Sequence, residues 1–316
     1  MEFKCRIMSI KRLIKSIALL IIIILTSCKS VDGLQSEAQL LRIPYTSTVD
    51  QSNRNYFVYL PKGYNQKQDK KWPVLVFLHG NGERGNGQDE LDYVLIHGPL
   101  YEAWIQKRDL PFVMVVPQLQ MFGQDTLGLG YIDNRIKDWI PKRLEKGVPK
   151  RPNGYIIPEP MQGAIASDSI PSLSNLKGGW GNVETDLMTM IDETLLNYQT
   201  DKNRIYLSGI SYGGFGTWEI ASKNPDRFAA INPIVGWGHP DLMDSIAKYK
   251  IPVWNIAGGR DNVVPVKYFY EGMNKLEALG HHNIRFTVEE DMGHDGTWKR
   301  IYAGDDIYNW LLENHK

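Results

Sequence analysis

A chain of 316 residues, 42% hydrophobic and 23% charged, suits one large domain or two small ones. Thirty-six Lys/Arg balance 36 Asp/Glu, and no basic stripe runs along the sequence, which argues against a nucleic-acid partner. With only two cysteines, Cys5 and Cys28, stability must come from a packed core rather than a disulfide framework.

The N-terminus is patterned as a targeting segment. Lys4, Arg6, Lys11, Arg12 and Lys15 precede an unbroken apolar run, Ile17 to Leu25. At about 1.5 Å per residue that run is too short for a hydrocarbon core of about 30 Å, so it reads as a signal-peptide core. Leu25-Thr26-Ser27-Cys28 resembles the lipobox of bacterial lipoproteins. The resemblance implies removal of residues 1–27, lipid on Cys28, a polar tether over 28–40, and attachment to a membrane of the bacterial cell envelope, periplasmic or outer. The alternative is an ordinary signal peptide with a cysteine there by accident. Removing residues 1–27 leaves 289 residues with 31 basic and 35 acidic side chains, a net charge of −4.

From residue 41 onward the pattern alternates. Segments 40–49 and 54–61 read as two strands around a turn at Asp50-Gln51-Ser52-Asn53, and 73–79 is a nearly continuous apolar run suited to a strand buried on both faces. A helical stretch over 89–107 and a strand at 111–117 follow. The chain then runs helix 183–198, strand 204–209, helix 212–223, strand 228–235, a short helix near 241–248, strand 251–258, helix 265–279, strand 284–290 and a last helix near 303–313. Strands alternating with helices after an opening hairpin predict an α/β domain over 41–316, a mostly parallel central sheet with helices on both faces. Residues 118–180, rich in Gly and Pro, read as an insertion or lid-like segment over the C-terminal ends of the strands.

Gly209-Ile210-Ser211-Tyr212-Gly213-Gly214 lies between a strand and a helix. The bare Gly-x-Ser-x-Gly pattern arises by chance roughly 0.1–0.2 times in such a composition, so its placement carries the information. A sharp strand-to-helix turn lifts a serine hydroxyl where substrate can reach it; the competing reading is a plain tight turn. A displayed nucleophile needs an acid and then a histidine at later strand ends, and Asp261 and His294 stand there. Asp295, adjacent to His294, is the rival acid, although adjacent side chains diverge; Glu290 and Asp291 read as solvated. Oxyanion donors are expected from the Tyr212 backbone N–H and from Asn81, with Gly82 second, in the Gly-rich loop after strand 73–79.

That loop, Gly80-Asn81-Gly82-Glu83-Arg84-Gly85, also fits a dinucleotide fingerprint, but the next strand ends in Pro117-Gln118 rather than a ribose-binding acid. Histidines 79, 97, 239, 281, 282 and 315 lack metal-ligand spacing. No cofactor and no metal is expected. Trp180, Trp237 and Gln118, beside strand ends, are candidate substrate contacts, with packing as the alternative for the two tryptophans.

Together "LHGNGERG", the stretch 201–238, "GGRDNVVP" and "GHDGTW" resemble bacterial α/β-hydrolase esterases related to phospholipase/carboxylesterases and polyhydroxybutyrate depolymerases, some relatives being predicted peptidases and others feruloyl or acetylxylan carbohydrate esterases. The resemblance covers roughly 55–118 and 180–312. It implies a serine esterase with nucleophile Ser211, partners Asp261 and His294, and an oxyanion hole at Gly80–Gly82, acting on a small-molecule or oligosaccharide ester. The alternatives are a peptidase of prolyl-oligopeptidase type, for which no propeller repeats precede the catalytic part, and a non-catalytic glycan-binding lipoprotein.

Overall fold

The computed structural model describes residues 36–66, 69–143, 167, 169–172 and 178–316. The signal segment 1–27, Cys28, the tether up to residue 35 and the greater part of the insertion after residue 143 lie outside the described residues. Among the described residues no helix is long and apolar enough to cross a membrane.

Eight strands form one sheet: β1 Gln39–Thr46, β2 Asn53–Leu60, β3 Trp72–Leu78, β4 Val113–Val116, β5 Thr200–Ile210, β6 Ala230–Ile234, β7 Val253–Gly258 and β8 Ile284–Glu289. Their spatial order is β1-β2-β4-β3-β5-β6-β7-β8. The β1–β2 hairpin and the β2–β4 pair are antiparallel, and every pair from β4 to β8 is parallel. This is the α/β-hydrolase fold, with the antiparallel strands at one edge.

The continuous apolar runs have the cause expected of them. Val74, Val76 and Leu78 of β3 enter one core, while Leu75 and Phe77 enter the core on the opposite face. The first core is covered by α3 (Glu184–Asn197), α4 (Tyr212–Lys223), α5 (Met243–Lys248) and α6 (Tyr270–Ala278). The second is covered by α1 (Gly98–Leu100), α7 (His294–Ala303) and α8 (Asp306–Glu313). α2 (Gly130–Asp133) lies in the described part of the insertion. That part rests on the loop after β3, where Arg135 Nη1 donates to the carbonyls of Gly82 and Arg84. It therefore sits at the C-terminal end of the parallel strands.

One predicted helix needs correction, and one helix was not predicted. The stretch 89–107 is not one helix but a 3-10 turn (Leu91–Leu95), α1 and a π turn (Tyr101–Ile105). The break falls at Gly98, with φ +85°, where a Cβ would stand 2.2 Å from the Phe77 ring. Backbone packed directly on Phe77 overrides the helical period. The last predicted helix, near 303–313, is α8 (Asp306–Glu313); before it stands a helix the sequence did not suggest, α7, which begins at His294 itself and ends ahead of Gly304. Strand β5 also runs longer than predicted, because Thr200 pairs with Trp72 across a register shift.

Candidate active site

Ser211 closes β5 and caps α4 in a backbone conformation of φ +52°, ψ −115°. A serine held there is strained, and the strain is maintained by what surrounds it. Its N–H donates to Ile234 O at 3.0 Å, and its carbonyl accepts from Phe215 N at 3.0 Å. The flanking glycines are required by close backbone passage. A Cβ on Gly213 would lie 1.8 Å from Leu78 O, and one on Gly209 would lie 2.2 Å from Gly213 O. Helix α4 thus crosses the ends of β3 and β5 without room for a methyl group.

Asp261 follows β7 and is fully buried. Its Oδ1 accepts from the backbone N–H groups of Val263 (2.9 Å) and Val264 (2.8 Å), which fix the carboxylate plane. Its Oδ2 lies 2.6 Å from His294 Nδ1, and His294 Nε2 lies 3.0 Å from Ser211 Oγ. A carboxylate can only accept, so Nδ1 carries the proton and, in the neutral ring, Nε2 is left to accept from the serine hydroxyl. The imidazole edge rests on Trp298 at 4.9 Å, one turn along α7. The three groups form one hydrogen-bonded chain that ends on the hydroxyl.

The rival acids point elsewhere. Asp295 is exposed and pairs with Lys299 at 3.4 Å. Glu290 is exposed. Asp291, read as solvated, instead pairs through both oxygens with Arg300, which holds its carboxyl below the usual carboxylate range.

Asn81 and Gly82 lie in a 3-10 turn directly after β3. The Asn81 amide is engaged, its Nδ2 donating to Tyr131 Oη (2.9 Å) and Gln124 Oε1 (3.3 Å), and its Oδ1 accepting from Arg84 Nε. Arg84 is fully buried; its Nη1 donates to Gln120 O at 2.7 Å, and its guanidinium stands 4.8 Å from the Tyr212 ring. Burial pushes Arg84 down to about 10. His79 is also buried: its Nε2 accepts from Leu119 N, so Nδ1 donates to Gly80 O, and burial pushes it down to about 3. A neutral His79 therefore ties the loop to the chain after β4.

The three candidate substrate contacts take other places. Gln118 is 3% exposed, its amide nitrogen donating to Glu83 O and Glu90 O and its oxygen accepting from Gly87 N. It braces the loop from beneath, because every polar atom of its side chain is consumed there. Trp180 is 1% exposed, its Nε1 donating to His79 O while its ring sits over Gly216. Trp237 is buried against Phe215 and Tyr268. Both tryptophans pack. Tyr131 and Arg84 are site neighbours that sequence reasoning did not single out.

Glu83, in the same loop, is buried 3.7 Å from His97 Nε2, and burial raises its carboxyl from 4.5 to about 7. A carboxyl raised on folding stabilises the protein while protonated, fully below about 4.5, and that contribution is lost as pH rises to about 7. His79 and His97, pushed down by burial to about 3 and about 4, act in the opposite sense. Comparison with Glu83→Gln isolates the carboxyl. The melting temperature of the unsubstituted protein, relative to that variant, is expected to fall between pH 4.5 and 8; a pH-independent difference contradicts this.

Among the described residues no group of three or more His, Cys, Asp or Glu is placed to hold a metal ion. A cavity of about 770 Å³ is lined by residues such as Arg42, Phe57 and Trp104 and by none of the triad.

An α/β-hydrolase sheet carrying a serine on its strand-to-helix turn, with acid and histidine after β7 and β8, has the constitution of a serine hydrolase site. Comparison with known proteins agrees at the level of fold. The prolyl oligopeptidase family profile matches residues 173–254, a segment that includes Ser211 and stops before Asp261. A ferri-bacillibactin esterase of Bacillus subtilis is 24% identical over 201 residues, covering 60% of this chain and 57% of that protein. A bifunctional acetylxylan esterase/xylanase of Neocallimastix patriciarum is 33% identical over 76 residues, covering 24% of this chain. The chain spans only 11% and 57% of the lengths of these two curated relatives. A thermostable esterase crystal structure superposes with a TM-score of 0.60 at 23% identity, over 88% of this chain and 63% of that one.

Proposed function

We propose that this chain is a serine hydrolase that cleaves carboxylic esters through an acyl-enzyme on Ser211. The observation that carries the reading is the unbroken chain from Asp261 Oδ2 to His294 Nδ1 and from His294 Nε2 to Ser211 Oγ. In the first half-reaction Ser211 Oγ attacks the ester carbonyl carbon and its proton passes to His294 Nε2. The tetrahedral oxyanion is held by the backbone N–H of Tyr212 and by the loop at Asn81 and Gly82. Collapse breaks the carbonyl–alkoxy bond, and the proton on Nε2 leaves with the alcohol. Water then adds by the same route, giving the acid and free Ser211. Asp261 keeps the ring in the correct tautomer and stabilises the imidazolium.

We infer that the esters are acetyl or feruloyl groups on polysaccharide fragments; support comes from the motif resemblance and from the acetylxylan esterase relative. The match of residues 173–254 to the prolyl oligopeptidase family favours a second reading, a serine peptidase. A panel of acetyl, feruloyl and glucuronoyl esters, run beside peptidyl anilides, tests both. Turnover of acetyl or feruloyl esters is expected with no cleavage of the anilides. Anilide cleavage without ester turnover would reverse the order of the two.

A further inference from the structure

Tyr131 is an aromatic side chain 56% open to solvent, yet its hydroxyl is pinned. Asn81 Nδ2 donates to Tyr131 Oη at 2.9 Å, and Asn81 is itself fixed through its Oδ1 by the buried Arg84. The ring edge approaches the loop after β3, its Cδ2 3.8 Å from where a Cβ on Gly82 would stand. The same loop touches the nucleophile's strand, since a Cβ on Gly80 would stand 3.7 Å from Ile210 O, the residue before Ser211. On its other flank Arg84 stacks over Tyr212, the residue after Ser211. Three contacts, Tyr131 to Asn81, Asn81 to Arg84 and Arg84 to Tyr212, thereby link an exposed ring to the residue that follows Ser211.

We propose that the open face of Tyr131 is a substrate subsite that takes a six-membered ring carried by the ester, either the aromatic ring of an acyl group or a pyranose of the alcohol. Both present a flat face of carbon and hydrogen that gains dispersion and sheds water against a phenol ring. Tyrosine offers such area at low entropic cost, and here the hydrogen bond from Asn81 Nδ2 holds its hydroxyl. Gly82 suits the same end, because the absence of a side chain there leaves the ring edge and the loop uncovered. The subsite rests on the hydrolase reading above and names a substrate feature that the triad alone does not select.

The test uses methyl ferulate for the aromatic source, an acetylated xylotriose for the pyranose source, and ethyl butyrate as the ring-free reference. In Tyr131→Ala the KM for one ring-bearing ester, divided by that for ethyl butyrate, is expected to rise about tenfold. Whichever ester responds identifies the source of the ring. Tyr131→Phe, which keeps the ring, is expected to hold that ratio within about twofold of the unsubstituted protein. An unchanged ratio in Tyr131→Ala overturns the subsite, as does an equal rise in Tyr131→Phe, since the effect would then belong to the Asn81 contact. Calorimetric binding of methyl ferulate and xylotriose to Ser211→Ala, with and without Tyr131→Ala, separates the two readings. Ring binding lost with Tyr131 sustains the subsite even if no ester is turned over. Turnover with an unmoved KM ratio sustains the hydrolase and sinks the subsite.

Discussion

Ser211→Ala and His294→Ala are each expected to lower ester turnover by about 10³- to 10⁶-fold with little change in KM. The reason lies in the order of the contacts. Among the described residues the base that Ser211 Oγ reaches is His294 Nε2, at 3.0 Å, and without that base the hydroxyl keeps its proton in the attack. The two losses are not additive, because nucleophile and base act as one unit, and a double variant should be about as slow as either single one. Asp261→Asn is expected to cost about 10²- to 10⁴-fold. An amide in place of the carboxylate can turn its NH₂ toward Nδ1, which forces the imidazole proton onto Nε2, the position that must be free to accept from Ser211. Steady-state kinetics on the best ester of the panel reads all three, with folding checked by circular dichroism. Near-normal turnover in His294→Ala would break the assignment.

The second large effect concerns a residue that carries no functional group. Gly213→Ala is expected to abolish activity and to destabilise the fold by about 3 kcal/mol or more. A methyl group there would stand 1.8 Å from Leu78 O and 2.7 Å from His79 O. Both atoms belong to the main chain at the end of β3, so neither can swing aside as a side-chain tip would. Relief would require α4 to retreat from β3, which would displace Ser211 and separate Tyr212 from Arg84. Gly128→Ala is the matched control: its φ is also positive, +66°, but nothing stands within 4 Å of the added methyl. The control should cost only about 1 kcal/mol of backbone strain. Denaturant titration of the two variants reads the difference, and equal destabilisation would show that crowding at the turn is not the cause.

Much of this architecture is legible in the sequence because two-faced burial writes itself as continuous apolar runs. "PVLVFLH" and "PFVMVVP" can be read as buried strands since both faces of β3 and β4 meet a core. Helix α4 occupies the predicted interval 212–223, where a helical period starts immediately after the glycine-flanked serine. The sequence order of Ser211, Asp261 and His294 is readable because each follows a strand, and parallel strands bring their C-terminal ends together. The choice between Asp261 and Asp295 is a matter of direction, which spacing alone expresses weakly; in the fold Asp295 faces solvent beside Lys299.

What escaped the sequence is mostly packing between distant segments. Helix α7 was hidden because Gly293 and Gly296 give its first turn the composition of a loop, whereas its stability comes from Trp298 and Tyr302 entering the second core. The break at Gly98 is set by the Phe77 ring, twenty-one positions away. Trp180 and Gln118 lie near strand ends, as read, but their polar atoms are already bonded to the loop they adjoin. Tyr131 carries no local signal at all. Its significance comes from one hydrogen bond to Asn81, fifty positions earlier in the chain.

Ester cleavage as proposed requires that His294 activate Ser211 as the nucleophile. Reaction with a fluorophosphonate probe, followed by peptide mapping, tests it most directly, because the probe reports the activated hydroxyl whatever the natural ester. Labelling confined to the peptide containing Ser211, absent in Ser211→Ala and slowed by at least about a hundredfold in His294→Ala, is the predicted result. Labelling that persists in Ser211→Ala, or that proceeds at full rate without His294, would contradict it.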